Sequence, residues 1–332
     1  MAKLNEGIVG ELERAWQWRE SRGCFAEAEC LRVFHGPGES DGVLKRWAVD
    51  RYGSGFWVTE WEGDAGGRPA DANAALGAIE SFLKSKGVKQ ATVLRRPEKG
   101  VPAEPQALGS FSASAERYSA TEGSLKFWIQ LLGARHPGLF LDHQPLRRWL
   151  IERAKDWKVL NTFAYTGSLS IAAGAAGASH VTTLDLSKPT VRWAEENWQL
   201  NGFEASKARF ISGDVFEWLP RLKREGARYD CVILDPPSFS RGNKGSFSTA
   251  KDLTQLHRLA MELLDRDGVL VTSINSANVS WAQYEKDVQA AASVLKHSYE
   301  VLFRIDQPET FPSSFSVPAT RYLKGWALRR RT

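Results

Sequence analysis

From residue 158 onward, apolar and polar positions switch regularly between two periods. Near-continuous apolar runs at 158–163, 180–185, 208–212, 229–234 and 268–273 read as strands, because a strand covered on both faces loses its alternation. Between them, 168–176 reads as a small-residue helix, and 189–201, 215–224 and 253–264 read as further helices. Strands alternating with helices at this interval predict right-handed crossovers and a parallel sheet with helices on both faces. A helix over 281–295 follows, and then two strand candidates, 299–305 and 322–328, separated only by the Pro-rich 307–318. With no helix to carry a crossover, that last pair is expected to run antiparallel at one edge of the sheet.

The pattern before residue 123 is different. A helix is expected over 11–22, with Leu12 and Trp16 one turn apart, and short strands at 30–34 and 56–61 flanked by Gly36-Pro37-Gly38 and Tyr52-Gly53-Ser54-Gly55. An amphipathic helix over 72–86 presents Leu76, Ile79 and Leu83, and a strand follows at 91–95. The stretch 98–119 is rich in Pro, Gly, Ser and Ala and lacks any period, which suits a linker. The expected organisation is α/β: a small α+β domain over 1–122, a candidate for substrate or RNA binding, followed by a larger domain over 123–332.

Composition changes this picture little. At 332 residues, with 42% hydrophobic and 25% charged, the chain can bury two ordinary cores. No apolar run approaches the roughly 20 residues a membrane helix needs, and Met1–Glu6 lacks a secretion layout, so a cytoplasmic protein with no membrane partner is expected. Cys24, Cys30 and Cys231 have no metal-like spacing and read as reduced thiols, with no metal centre expected. The net charge of +5 and pI near 9.0 mildly favour a polyanionic partner.

Candidate chemistry gathers at the predicted strand ends, where ligands of such sheets bind. After the first strand, Phe163-Ala164-Tyr165-Thr166-Gly167-Ser168 opens directly into a helix. Gly167 permits close approach of a ligand, and the helix N-terminus offers N–H groups to a carboxylate. A full GxGxxG is absent, which argues for a cofactor without phosphates and against NAD. Asp185 ends the second strand, 18 residues beyond Gly167, where a carboxylate can accept both hydroxyls of a ribose; alternatively it starts a turn into a helix capped by Ser187. Asp214 ends the third strand and either accepts from an adenine amine or caps the helix beginning at Val215. After the fourth strand, Asp235-Pro236-Pro237-Ser238-Phe239 forms a stiff elbow, with an acceptor for a base edge in Asp235 and a stacking face in Phe239. The Gly-rich, cationic 240–246 beyond it reads as a mobile loop able to close over a phosphodiester backbone.

At these residues the chain resembles the ribosomal large-subunit RNA methyltransferases, in the group comprising the cytosine-C5 enzyme and the guanine-N7 half of the bifunctional guanine enzyme. The resemblance spans 123–328 and rests on Gly138-Leu139-Phe140-Leu141-Asp142-His143-Gln144, Leu160 to Ser168, Thr183-Leu184-Asp185-Leu186-Ser187, Asn197 to Gly202, Gly213-Asp214, Asp235 to Phe239 and Tyr322 to Trp326. A looser likeness lies at Val49-Asp50-Arg51-Tyr52-Gly53. The resemblance implies a Rossmann-like class I methyltransferase fold, S-adenosyl-L-methionine as cofactor and large-subunit rRNA as partner. It implies cofactor contacts at Phe140, Asp142, Gln144, Phe163, Tyr165, Thr166, Gly167, Asp185, Leu186, Asp214, Val215 and Asp235. Asp235, Pro236, Pro237, Phe239 and Asn275 fall to the acceptor side.

Two departures separate the members of that group. No PUA domain of the cytosine-C5 type is found, and Asn275 stands after the fifth strand where those enzymes keep a nucleophilic Cys. Carbon 5 of cytosine becomes nucleophilic only after a thiolate adds to its neighbour, so guanine N7 is the favoured acceptor, whose lone pair needs only alignment. The alternatives are the cytosine-C5 reaction and a small-molecule methyltransferase with the first domain as a lid. Phosphate contacts are expected from Arg147, Arg148, Arg153, Lys155 and Lys158, and from Lys84, Lys86, Lys89, Arg95, Arg96 and Lys99, stretches with few acidic neighbours in sequence.

Overall fold

A computed structural model of the chain describes residues 2–61, 71–95, 103–237, 239–242, 245–276, 279–317 and 320–331, with side chains for all of these except 2–5 and 239–251. The chain divides into two compact units, Met1–Leu141 with Pro308–Thr320, and Asp142–Gln307 with Arg321–Thr332. The sequence places the division at 122/123; by contacts, residues 123–141 and the 308–320 segment go with the first unit.

In the first unit, α1 (Ala2–Ser21) and two single-turn helices, α2 (Cys24–Glu27) and α3 (Gly36–Glu39), accompany a five-stranded sheet. Its strands are β1 (Cys30–His35), β2 (Trp47–Tyr52), β3 (Gly55–Glu60), β4 (Gln90–Arg95) and β5 (Gln106–Ala107), in that order. The β3–β4 pair is parallel, joined through α4 (Ala72–Ser85), and the remaining pairs are antiparallel. Ile8 and Leu12 of α1 and Ile79, Phe82 and Leu83 of α4 pack on Val33, Val49, Phe56, Val58 and Val93. Each such side chain, taken fully out of water, contributes about 1.5–3 kcal/mol. A second hairpin, β6 (Tyr118–Glu122) and β7 (Leu125–Ile129), completes this unit.

The strand β2 has no counterpart in the sequence reading, because Asp50 and Arg51 make it look like a loop. Asp50 lies opposite Arg32 in the β1–β2 register and accepts both Nε and Nη2 of its guanidinium at 2.7 and 2.9 Å, so the carboxylate is buried as one half of a bidentate pair. The 98–119 linker likewise contains a strand: β5 pairs with β4.

The second unit carries α5 (Gln144–Arg153), β8 (Lys158–Thr162), α6 (Ser168–Ala175), β9 (His180–Asp185), α7 (Lys188–Leu200), β10 (Ala208–Ser212), α8 (Val215–Arg224) and β11 (Tyr229–Leu234). After β11 come a small hairpin, β12 (Phe239–Gly242) and β13 (Gly245–Ser248), then α9 (Thr249–Met261), β14 (Leu264–Asn275), α10 (Trp281–Leu295), β15 (Ser298–Ile305) and β16 (Leu323–Arg331). The sheet order is β10-β9-β8-β11-β14-β16-β15. The first five strands are parallel; β16 inserts antiparallel between β14 and β15, the expected closing pair. Leu160, Leu184, Val232, Leu234 and Leu270 meet Leu219 of α8, Leu256 of α9 and Tyr284 and Val288 of α10 on one face, while α5, α6 and α7 pack together. This is the Rossmann-like layout with its order reversal between β8 and β11.

Candidate active site

The strand registers bring the predicted carboxyl ends level. Thr162 of β8 lies opposite Leu184 of β9 and Leu234 of β11; Leu234 lies opposite Thr272 of β14, and Ser212 of β10 opposite Asp185. The residues that follow, Phe163, Asp235, Ser273 and Gly213, therefore emerge at one rim of the second unit, beside Asp185.

The turn from β8 into α6 is the most contorted segment of that rim. Phe163 and Tyr165 hold φ of 53° and 50°, two of the five non-glycine residues at positive φ among those described, and Gly167 holds φ 80°. Non-glycine residues pay about 1–3 kcal/mol for such backbone, and this one survives because its neighbours hold it. The N–H of Ala164 donates to Leu184 O at 3.1 Å, that of Tyr165 to Asp185 Oδ2 at 2.8 Å, and that of Gly167 to Ala164 O at 2.8 Å. Asn197 of α7, fully buried, donates to Thr166 O at 2.9 Å. A Cβ on Gly167 would stand 2.8 Å from Cβ of Ala194, so the loop also lies tight against α7. No side chain caps the first turn of α6. A helix N-terminus of this kind suits a carboxylate, and the narrow turn has no glycine-rich cradle for a pyrophosphate.

Asp185 starts the turn into α7, the alternative offered for it. Its carboxylate accepts from Tyr165 N, from Ser187 N at 2.9 Å and from Thr190 Oγ1 at 3.1 Å, while Ser187 caps α7. A carboxylate has about four acceptor positions, so three bonds leave room for one more donor rather than for a paired diol. Leu186, the next residue, is 41% exposed. Asp214 caps α8, accepting from Phe216 N at 2.8 Å, and Val215 beside it is buried.

The elbow after β11 leads to an arrangement that sequence reasoning did not find. Ser273 Oγ donates to Asp235 Oδ1 at 2.6 Å, and His143 Nε2 lies 3.2 Å from Ser273 Oγ and 3.3 Å from Asp235 Oδ1. On the ring's other side Nδ1 meets Asp142 Oδ1 at 3.2 Å, and the hydroxyl of Tyr322 donates to Asp142 Oδ2 at 3.1 Å. Burial by itself would lower the His143 pKa; Asp235 first and Asp142 with it reverse the effect and push it up to about 10. A charged imidazolium thus sits between two carboxylates. By contrast His257 of α9, also buried, faces no carboxylate among the described residues: it meets Thr272 Oγ1 at 2.8 Å, and burial pushes it down to about 3. His143 is next to Asp142 in sequence, the one signal that pointed toward it; Tyr322 is 180 residues from its partner.

The remaining predicted residues are distributed as follows. Gln144 opens α5 and is half-buried, Thr166 and Pro236 are buried, and Pro237 and Asn275 are exposed, the latter as the last residue of β14. Phe140 belongs to the first unit, 39% exposed, with its ring 5.1 Å from that of His136. Phe239 begins β12; its side chain and the whole of Ser238 lie outside the described residues. The 240–246 stretch, expected as a mobile loop, is largely strand, since β12 pairs with β13 from Phe239–Ser248 to Gly242–Gly245.

The basic stretches need correction. Arg147 is fully buried, its Nη1 3.5 Å from Ser168 Oγ, and offers nothing to a phosphate; Arg148, Arg153, Lys155 and Lys158 are exposed. In the first unit, Lys84 pairs with Glu80 one helical turn away at 2.7 Å, and Lys86 with Glu13 at 2.8 Å and Arg95 with Glu60 at 2.7 Å, the last two being partners that folding brings in. Arg96 and Lys99 lie outside the described residues. Among those described, no helix is long and apolar enough to cross a membrane, and no group of three His, Cys, Asp or Glu is placed to hold a metal.

A family model described as S-adenosylmethionine-dependent methyltransferase matches residues 104–325. Ribosomal RNA large subunit methyltransferase K of Neisseria meningitidis is 31% identical over 264 residues, 78% of this chain and 73% of that protein. Ribosomal RNA large subunit methyltransferase K/L of Pseudomonas aeruginosa is 32% identical over 308 residues, 91% of this chain; the chain spans only 41% of that longer relative. Among solved structures, a methyltransferase in complex with SAH superposes with a TM-score of 0.84 at 25% identity, covering 97% of this chain and 81% of the other.

Proposed function

This chain belongs to the S-adenosylmethionine-dependent methyltransferase family, and from that premise we propose that it methylates a base of large-subunit ribosomal RNA, at guanine N7. Its named relatives act on that RNA, which supports the substrate class. Asn275 carries the choice of atom. The chain has three cysteines, of which Cys24 and Cys30 are buried in the first unit and Cys231 is enclosed within β11, where burial pushes its thiol up. A thiol kept protonated in the core of a sheet supplies no thiolate for the cytosine-C5 route.

The residues present fit the cofactor. The uncapped start of α6 with Tyr165, Thr166 and Gly167 takes the methionine carboxylate, the remaining acceptor position of Asp185 takes a ribose hydroxyl, and Leu186, Asp214 and Val215 frame the adenine. Asp142, Gln144 and Phe163 belong to the same proposed set. When bound, the cofactor supplies an electrophilic methyl group on a sulfonium. Asp235, Pro236, Pro237, Phe239 and Asn275 are assigned to hold the base so that N7 faces that group, a task of alignment that needs no general base. Methylation at N7 leaves a positive charge on the purine, which an ionised Asp235 at its edge stabilises.

The test is methyl transfer from labelled cofactor to ribosomal RNA from a source strain lacking the gene, followed by nucleoside analysis. The expected product is 7-methylguanosine, formed also by a chain with Cys24, Cys30 and Cys231 changed to Ala. Recovery of 5-methylcytidine, with activity lost in the folded cysteine-free chain, would return the cytosine-C5 reaction. Absence of label in any RNA would favour a small-molecule acceptor.

A further inference from the structure

We propose that His143 is a positioning residue for methyl transfer: held by Asp142, it pins Oδ1 of Asp235 together with Ser273 and leaves Oδ2 as the acceptor offered to the substrate base. The inference rests on the reading of Asp235 as the contact to that base. Three observations carry it. Oδ1 already receives the Ser273 hydroxyl at 2.6 Å and faces His143 Nε2 at 3.3 Å. Among the described residues no partner is recorded for Oδ2, and the Asp235 side chain is 27% exposed, so the carboxylate is anchored on one oxygen and open on the other. The ring itself cannot turn away, because its side chain is 6% exposed and its second nitrogen meets Asp142, which Tyr322 holds in turn.

The proton inventory closes without conflict. The imidazolium donates from Nδ1 to Asp142 and from Nε2 between Ser273 Oγ and Asp235 Oδ1; Ser273 accepts there and donates its own hydroxyl to Asp235. Of the other ionisable groups near the cluster, Tyr284 from α10 is kept protonated by burial, and Lys324 from β16 donates to Ser276 O at 2.8 Å and Tyr322 O at 3.0 Å. His143 is thus the cation that answers Asp235. Ionised and fixed, Asp235 presents only an acceptor, which favours a base edge bearing N–H groups, as guanine has at N1 and N2.

The experiment compares wild type with His143→Gln in the rRNA methylation assay, with kcat and KM measured from pH 6 to pH 9 and cofactor affinity measured by calorimetry. Without that anchor the Asp235 carboxylate is free to turn away from the base, so kcat should fall roughly tenfold or more across this range while KM for the RNA changes little. Cofactor affinity should stay within about twofold. An unchanged kcat, or a loss confined to cofactor binding, would overturn the proposal. Should His143→Gln fail to fold, Ser273→Ala decides: it removes one hydroxyl, and it should lower kcat by a smaller amount with KM little changed, whereas an unchanged kcat overturns the idea. Failure of wild type to methylate any RNA would instead strike the functional reading on which this rests.

Discussion

His143 and His257 lie in the same unit, both fully enclosed, and their protonation differs because two carboxylates face one and a threonine hydroxyl faces the other. The sign of the resulting pH dependence follows. A histidine whose folded pKa is raised from 6.5 to about 10 stabilises the fold fully below pH 6.5, and that contribution is lost as pH rises through about 10. Denaturant midpoints of wild type should therefore fall between those limits relative to His143→Gln, with the gap narrowing at the alkaline end; a constant gap would count against a charged His143. Asp185 makes a second case at this scale. Asp185→Ala removes the acceptor of three bonds that tie the β8–α6 turn to the start of α7, and cofactor affinity should drop by about 1–3 kcal/mol in calorimetry on folded protein. Asp185→Asn, which keeps one carbonyl acceptor, should lose less. Equal affinity in Asp185→Ala would remove the residue from the cofactor set.

At the scale of the element, the β8–α6 turn combines strain with close packing, so Gly167→Ala meets two obstacles, a φ of 80° and the Ala194 methyl 2.8 Å away. We expect a loss of about 1–3 kcal/mol in stability together with weakened cofactor binding, read from urea unfolding and calorimetry on the same sample. A variant of unchanged stability would show that the turn relaxes freely. The helices and strands of the second unit were legible in the sequence because their periods are long and uninterrupted; α8 and α10 begin and end where the pattern predicts. The elements that were not legible lack such a period, each for its own reason. β2 holds a buried Asp50 whose partner lies on another strand, and β12–β13 is a short polar hairpin without an apolar alternation to betray it.

For the whole molecule, the question is which positive charges remain for RNA once the chain has folded. Lys84, Lys86 and Arg95 carry glutamate partners, whereas Lys155 and Lys158 are exposed and form no ion pair among the described residues. Changing Lys155 and Lys158 to Glu should therefore weaken RNA binding and lower the slope of log affinity against log salt by about one per lost phosphate contact, while Lys84→Ala with Lys86→Ala should change little. Filter binding across a salt series reads both, and equal effects would reject the distinction. The sequence by itself determined the α/β class, the five parallel strands with their closing antiparallel pair, and the row of Asp185, Asp214 and Asp235 at the strand ends, since periodicity and turn chemistry are local properties. Tertiary structure alone decided that Lys86 and Arg95 are neutralised, that Arg147 is buried, and that Asp142, His143, Asp235, Ser273 and Tyr322 meet. Those outcomes depend on contacts between residues far apart in the chain, which no local pattern encodes.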